Sequence, residues 1–229
     1  MVITKIAFVL RLVDDFSGKV ILRKRFQFRK DGNLLKPIQK EEGLYVFLEP
    51  MNDIEQIEIE GFDYHSCVVE VDKAKLDKKN PVLNVRLYGR RGGSFSYAHS
   101  LLEGRLEEGE TVFPALVCVP RRTGTGLSLK EIRKADGKQH LIAYGFTKEI
   151  LQGKTFGLSS GDSMEVFIIT ERIGMNEYAI EGNITREYPD KTPIQRVYCS
   201  VTNKDGNYAI PVPDGEAEQA CGVIVIKQY

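Results

Sequence analysis

Gly43-Leu44-Tyr45-Val46-Phe47-Leu48-Glu49-Pro50 carries the fold class of this chain. A glycine that accepts positive φ turns the backbone. The alternating run behind it makes a strand, with Leu44, Val46 and Leu48 on one face and Tyr45 and Phe47 on the other. The proline then ends pairing, because it has no amide hydrogen for a ladder. The same G-x-Y-x-apolar-x-x-P pattern returns at Gly206-Asn207-Tyr208-Ala209-Ile210-Pro211-Val212-Pro213, so a repeated strand unit is expected. Working outward, a period of two dominates. It runs through Ile6, Phe8, Leu10 and Leu12, through Cys67, Val69 and Val71, and through Leu83, Val85 and Leu87. Such alternation marks half-buried strands. Asp31-Gly32, Asp136-Gly137 and Asp205-Gly206 predict hairpin turns. Helical signals are short: Ser128 with Glu131 reads as a capping box over 129–135, and Thr147–Leu151 as one turn.

The chain has 229 residues, room for one large domain or two to three small ones. Lysine plus arginine is 32 and aspartate plus glutamate is 32, so the formal net charge is zero. A dedicated nucleic-acid binder or a polybasic membrane protein needs a positive excess, and neither is expected. The apolar stretch Ile6–Leu10 is broken by Arg11 and followed by Asp14-Asp15. It is too short for a membrane span and lacks a small-residue cleavage site, so synthesis in the cytoplasm without a signal peptide is the expectation. Cys67, Cys118, Cys199 and Cys221 are scattered with no C-x-x-C pair, which predicts free, buried thiols. His65, His99 and His140 show no H-x-x-x-H spacing, and no metal site is expected.

Motifs for chemistry fail on their spacing. Gly153-Lys154-Thr155 resembles the end of a phosphate loop, but Lys148 stands where the loop's first glycine belongs. Gly124-Thr125-Gly126 puts Leu129 at the third glycine position and reads as a flexible loop. No G-x-S-x-G elbow surrounds any serine. Arg23, Arg25 and Arg29 share one strand face opposite Phe26 and Phe28, and an ordinary solvated face accounts for them. Arg90-Arg91 and Arg121-Arg122 read as loop charges or interface contacts. The sequon Asn183-Ile184-Thr185 has no export signal beside it. No catalytic residue, cofactor-binding residue, metal ligand or cofactor is expected, and the chain is not expected to be an enzyme.

Gly89-Arg90-Arg91-Gly92-Gly93-Ser94 is polar and glycine-rich and marks a first boundary. Thr202-Asn203-Lys204-Asp205-Gly206-Asn207-Tyr208 resembles the T-[DN]-x-x-G-x-Y hairpin of carboxypeptidase regulatory-like domains, which are transthyretin-like β-sandwiches. Val13–Val20, Gly43-Leu44-Tyr45 and Ile57–Phe62 are similar to that family's opening strand, central hairpin and later strand. Leu102–Leu106 through Ala115–Val119 resembles the opening of a second copy. The resemblance implies an all-β chain: two small Ig/transthyretin-like β-sandwiches, the second interrupted by a small β-barrel. The first covers 1–90, the second 98–120 with 191–229, and the inserted barrel 121–190. Excision of 123–188 is then expected to leave a folded remainder.

Gly161–Thr170, followed by Glu177–Ile180, is similar to a strand–turn–strand pattern in small barrels of phage-tail and contractile-injection gene products, with Glu165 opening a strand and capping a neighbouring backbone. This resemblance implies a non-enzymatic structural or assembly component of a phage-tail-like contractile particle, a baseplate or tail accessory protein. Its partners would be other protein subunits, with no nucleic acid, no membrane insertion and no small-molecule ligand. The alternative is a carbohydrate- or protein-binding surface module of the Ig-like or adhesin type.

Overall fold

A computed structural model describes residues 5–22, 24–95, 99–106, 114–121, 123–135, 137–161, 163–216 and 222–226. Among these residues there are eighteen strands, two short 3-10 turns and no α-helix, so the chain is nearly all β as expected. It divides into two compact units. The first comprises Met1–Asp14 and Lys19–Phe95, the second Asp15–Gly18 and Ser96–Tyr229.

The first unit holds β1 (Ile6–Asp14), β2 (Phe26–Lys30), β3 (Asn33–Leu35), β4 (Ile38–Lys40), β5 (Leu44–Leu48), β6 (Ile54–Gly61), β7 (Tyr64–Asp72) and β8 (Val82–Leu87). They form two four-stranded sheets, β4-β5-β1-β8 and β3-β2-β6-β7. β1 lies antiparallel to β5 and parallel to β8. One core draws Phe8, Leu10, Leu12 and Phe47 from the first sheet and Phe28, Ile57, Ile59 and Val71 from the second, so the packing is sandwich-like. The alternating pattern does this directly, since every second side chain faces the opposite layer. Tyr45 crosses between the layers, with its ring 4.7 Å from that of Phe28. Asp31 and Gly32, at φ 49° and 76°, make the expected tight turn between β2 and β3.

The first unit ends at Phe95, just past the stretch 89–94 that marks a boundary in the sequence, and that stretch is tied down by hydrogen bonds. Asp63 is buried and needs donors, and this loop supplies them. The Arg90 amide donates to the Asp63 carbonyl at 3.0 Å and the Ser94 amide to Asp63 Oδ1 at 2.6 Å. Lys24 Nζ reaches the same carboxylate at 2.7 Å. The Phe95 ring then stacks edge-on against Tyr64 at 5.7 Å.

The second unit holds β9 (His99–Arg105), β10 (Leu116–Pro120), β11 (Leu127–Ala135), β12 (Lys138–Gly145), β13 (Thr155–Ser160), β14 (Ser163–Arg172), β15 (Glu177–Glu181), β16 (Gln195–Val201), β17 (Asn207–Pro213) and β18 (Ile224–Ile226). β9 pairs with β17, and β10 with both β16 and β18, so segments far apart in sequence share ladders. Ile210 and Val212 of the β9–β17 ribbon pack on Val117, Val119 and Tyr198, a small sandwich-like layer pair. A separate apolar cluster, which includes Leu141, Phe156, Phe167 and Ile180, lies wholly within 127–194.

The expected barrel is an open sheet. Its order is β11-β12-β15-β14-β13-β16-β10-β18, and no sheet closes among the described residues. β16 takes the edge of β13, through Phe156 opposite Arg196 and Gly157 opposite Gln195. The segment leading into β16 reaches β11 only as an isolated bridge, with the Leu129 amide donating to the Thr192 carbonyl at 2.8 Å and the Ile194 amide to the Leu127 carbonyl at 3.1 Å, so no regular ladder closes the sheet. Arg196 seals the junction. It is 3% exposed, and it donates from Nη2 to the Phe16 carbonyl at 3.0 Å and from Nη1 to the Val197 and Thr155 carbonyls. Its guanidinium also lies over the Tyr198 ring at 5.1 Å.

Three local expectations are corrected. Residues 129–135 are β11, not a helix: Leu127 and Leu129 alternate into the core, and the pairing of Ala135 with Lys138 leaves two residues for the turn. Position 136 of that turn lies outside the described residues. Thr147–Leu151 is not helical. Asp205-Gly206 joins strands of different sheets, β16 and β17, so it is not a hairpin. Asn203 Oδ1 shapes that turn by accepting from the Asp205 and Asn207 amides.

Candidate functional site

The second unit carries an apolar-rimmed cleft beside the end of β12. Gly145 and Gly126 cross there at φ 92° and 80°. A Cβ on Gly126 would meet the Phe146 carbonyl oxygen at 2.6 Å, so only glycine allows this approach. Beyond the crossing, Phe146 is directed into solvent, at 75% exposed. The segment that follows is pinned. Thr147 Oγ1 accepts from the Glu149 amide at 3.1 Å, and Glu149 Oε1 takes Arg121 Nη2 at 2.6 Å. The Gly153 amide donates to the Ile169 carbonyl at 2.7 Å.

The turn between β14 and β15 forms the facing wall. Arg172 donates from Nε to the Gly174 carbonyl at 3.1 Å and from Nη2 to the Met175 carbonyl at 2.8 Å. The Asn176 carbonyl accepts from the Ala143 amide at 2.9 Å. Between the walls lies a cleft of about 270 Å³. Buried Leu151, Ile169 and Tyr178 floor it, and Ile150 and Met175 stand with Phe146 on the rim, 77% and 83% exposed. Thr147, Gln152 and Asn176 add neutral polar groups to the lining. Exposed apolar side chains grouped around a concavity lose contact with water when a partner covers them, which favours association.

Of the residues singled out by sequence, Gly126 borders the cleft, Arg121 binds Glu149 in its lining, and Cys118 and Cys199 meet at 2.8 Å; the others are dispersed. Gly153-Lys154-Thr155 leads into β13, where the Thr155 hydroxyl donates to Asp15 Oδ1 at 3.2 Å. Gly124-Thr125-Gly126 is fixed rather than flexible: Thr125 Oγ1 donates to the Ile194 carbonyl at 2.7 Å and accepts from the Leu127 amide. Arg25 is exposed, Arg29 meets Glu60 at 3.3 Å, and Arg23 lies outside the described residues. Arg90 stacks over Phe62, and Arg121 bridges Glu149 and Glu216; Arg122 is outside the described residues. His140 Nδ1 sits 2.8 Å from Glu177, and among the described residues no three His, Cys, Asp or Glu gather as metal ligands. Cys67, Cys118 and Cys199 are free thiols. Cys221 is outside the described residues.

Glu165 caps backbone as its position predicts. It accepts from the Thr185 hydroxyl and amide at 2.6 and 3.1 Å, the Tyr188 hydroxyl at 3.0 Å and the Arg186 amide at 3.3 Å. Burial works against its ionisation, but these bonds, led by the Thr185 hydroxyl, hold its carboxyl below the usual glutamate range. Sequence reasoning missed Phe146, Ile150 and Met175. Phe146 and Met175 stand in segments with neither a strand nor a helix period, and Ile150 falls in the 147–151 stretch read as a helical turn. Comparison with protein-family models, with curated proteins and with solved structures finds no match to this chain.

Proposed function

We propose that this protein is a non-enzymatic assembly subunit whose cleft takes an extended segment of a partner protein. The single observation that carries this reading is the trio Phe146, Ile150 and Met175, exposed around a cleft with an apolar floor. The occupant follows from the lining. Glu149 is already bound to Arg121, and the Arg172 guanidinium is bonded to two carbonyls of its own turn, so both charged groups are engaged within the fold. A charged metabolite finds little there to hold it. A peptide with one or two apolar side chains fills the floor, while Thr147, Gln152 and Asn176 suit its amide groups.

The sandwich-like layers are read as transthyretin-like modules, and the cleft belongs to the second unit. The assembly is of the phage-tail-like contractile type, with this chain as a baseplate or tail accessory part. That assignment rests on the likeness of Gly161–Thr170 and Glu177–Ile180 to a strand–turn–strand pattern of such particles' small barrels, and the open sheet removes its closed-barrel portion. A glycan-binding module is the weaker reading: Phe62 is 75% exposed, but Arg90 already covers a face of its ring at 5.2 Å. The test is a benzophenone photocrosslinker at position 146 in the native source. Crosslinks should concentrate on one segment of one co-assembled subunit. Crosslinks spread over unrelated proteins, or none at all, would reject the reading.

A further inference from the structure

We propose that Cys118 and Cys199 are a dithiol–disulfide site that staples the second unit across β10 and β16. The inference is independent of the cleft. The two residues stand directly opposite in the antiparallel register. Two flanking bonds fix their phase in the ladder. The Arg121 amide donates to the Arg196 carbonyl and the Thr202 amide to the Ala115 carbonyl, each at 2.9 Å. Pairs alternate along such a ladder, so 121/196 and 115/202 are hydrogen-bonded and 118/199 is not. In a non-hydrogen-bonded pair the Cα atoms lie about 4.5 Å apart, inside the range of roughly 4.4–6.8 Å that a disulfide spans. The side chains agree: the thiols already face each other at 2.8 Å, both buried.

The bridge would join the two ends of the excursion 119–198, which contains β11 to β15. The oxidant is a low-molecular-weight disulfide such as oxidised glutathione. One cysteine loses its proton and its thiolate attacks a glutathione sulfur, expelling one glutathione thiolate. The second cysteine, deprotonated in turn, displaces the other glutathione from the mixed disulfide. Two cysteine S–H bonds are replaced by one S–S bond, and one glutathione disulfide becomes two glutathiones. Both thiols are buried, so glutathione reaches them only when the ladder opens locally, and the Cys118 contact with burial also pushes the Cys199 thiol well above the usual range; closure is slow at neutral pH and faster in alkali.

The full chain is incubated with oxidised glutathione under native conditions, quenched in acid, alkylated and mapped by peptide mass. The expected product is one crosslinked peptide pair joining Cys118 to Cys199, lighter by two hydrogens, with Cys67 still alkylated. The thermal midpoint should rise on the order of 5–10 °C, because the bridge closes a long loop in the unfolded chain. Cys199→Ala should abolish both the crosslink and the rise. Three results would overturn the site: both thiols fully alkylated after prolonged alkaline incubation, a bridge that forms only in denaturant, or a bridge without a higher midpoint.

Discussion

Arg196 is a full positive charge almost out of reach of water, and three carbonyl acceptors and two ring faces help to hold it. A lysine cannot reproduce that fork, because its single ammonium lacks the planar spread of donors. Arg196→Lys and Arg196→Met should each lower stability by about 2–4 kcal/mol in urea titration. Glu165 makes a pH-dependent contribution. Its folded carboxyl ionises below the unfolded value of roughly 4.3, so its stabilisation is complete above that pH and is lost as pH falls through the folded value. Glu165→Gln should therefore differ from the parent in thermal midpoint at neutral pH and converge with it in acid. A gap that persists below the folded value would point to packing rather than charge.

At the scale of elements, some pairings were legible in the sequence and others were not. Local signals worked where the physics is local. The period of two exposed β1, β5, β7 and β8, and Asp31-Gly32 exposed the β2–β3 turn, because a tight turn needs positive φ at both positions. Ser128 and Glu131 misled because residues that cap a helix also sit comfortably on a strand, and the ladder with β12 outweighed the cap. The junction of β13 with β16 had no local signal at all. It joins segments far apart in the sequence through two residue pairs. The cleft was hidden for a related reason, since Phe146 and Met175 lie outside strands, where no period announces burial or exposure. The junction changes the outlook for excision. Removing 123–188 behind a short linker takes away β13 and the Thr155 carbonyl that Arg196 uses. It leaves an open edge on β16. Size-exclusion chromatography should show aggregate, not the folded remainder expected from the chain's repeats.

At the scale of the whole molecule, two separately cored β units are joined in one chain, and the proposed work falls to the second. Among the described residues no helix is long and apolar enough to cross a membrane. Phe146 and Met175 are exposed in the free chain, and the proposed function requires that a partner subunit cover them. Surface substitutions at such positions change stability little, usually within about 0.5 kcal/mol, so loss of binding can be separated from loss of fold. The most direct measurement is sedimentation of the native assembly fraction with the parent and with the Phe146→Asp/Met175→Asp double variant, the variant's thermal midpoint being checked first. The parent should travel with the large particles, and the equally stable variant should remain at the top of the gradient as a free chain. Equal co-sedimentation of both, or a parent that stays free, would contradict the account.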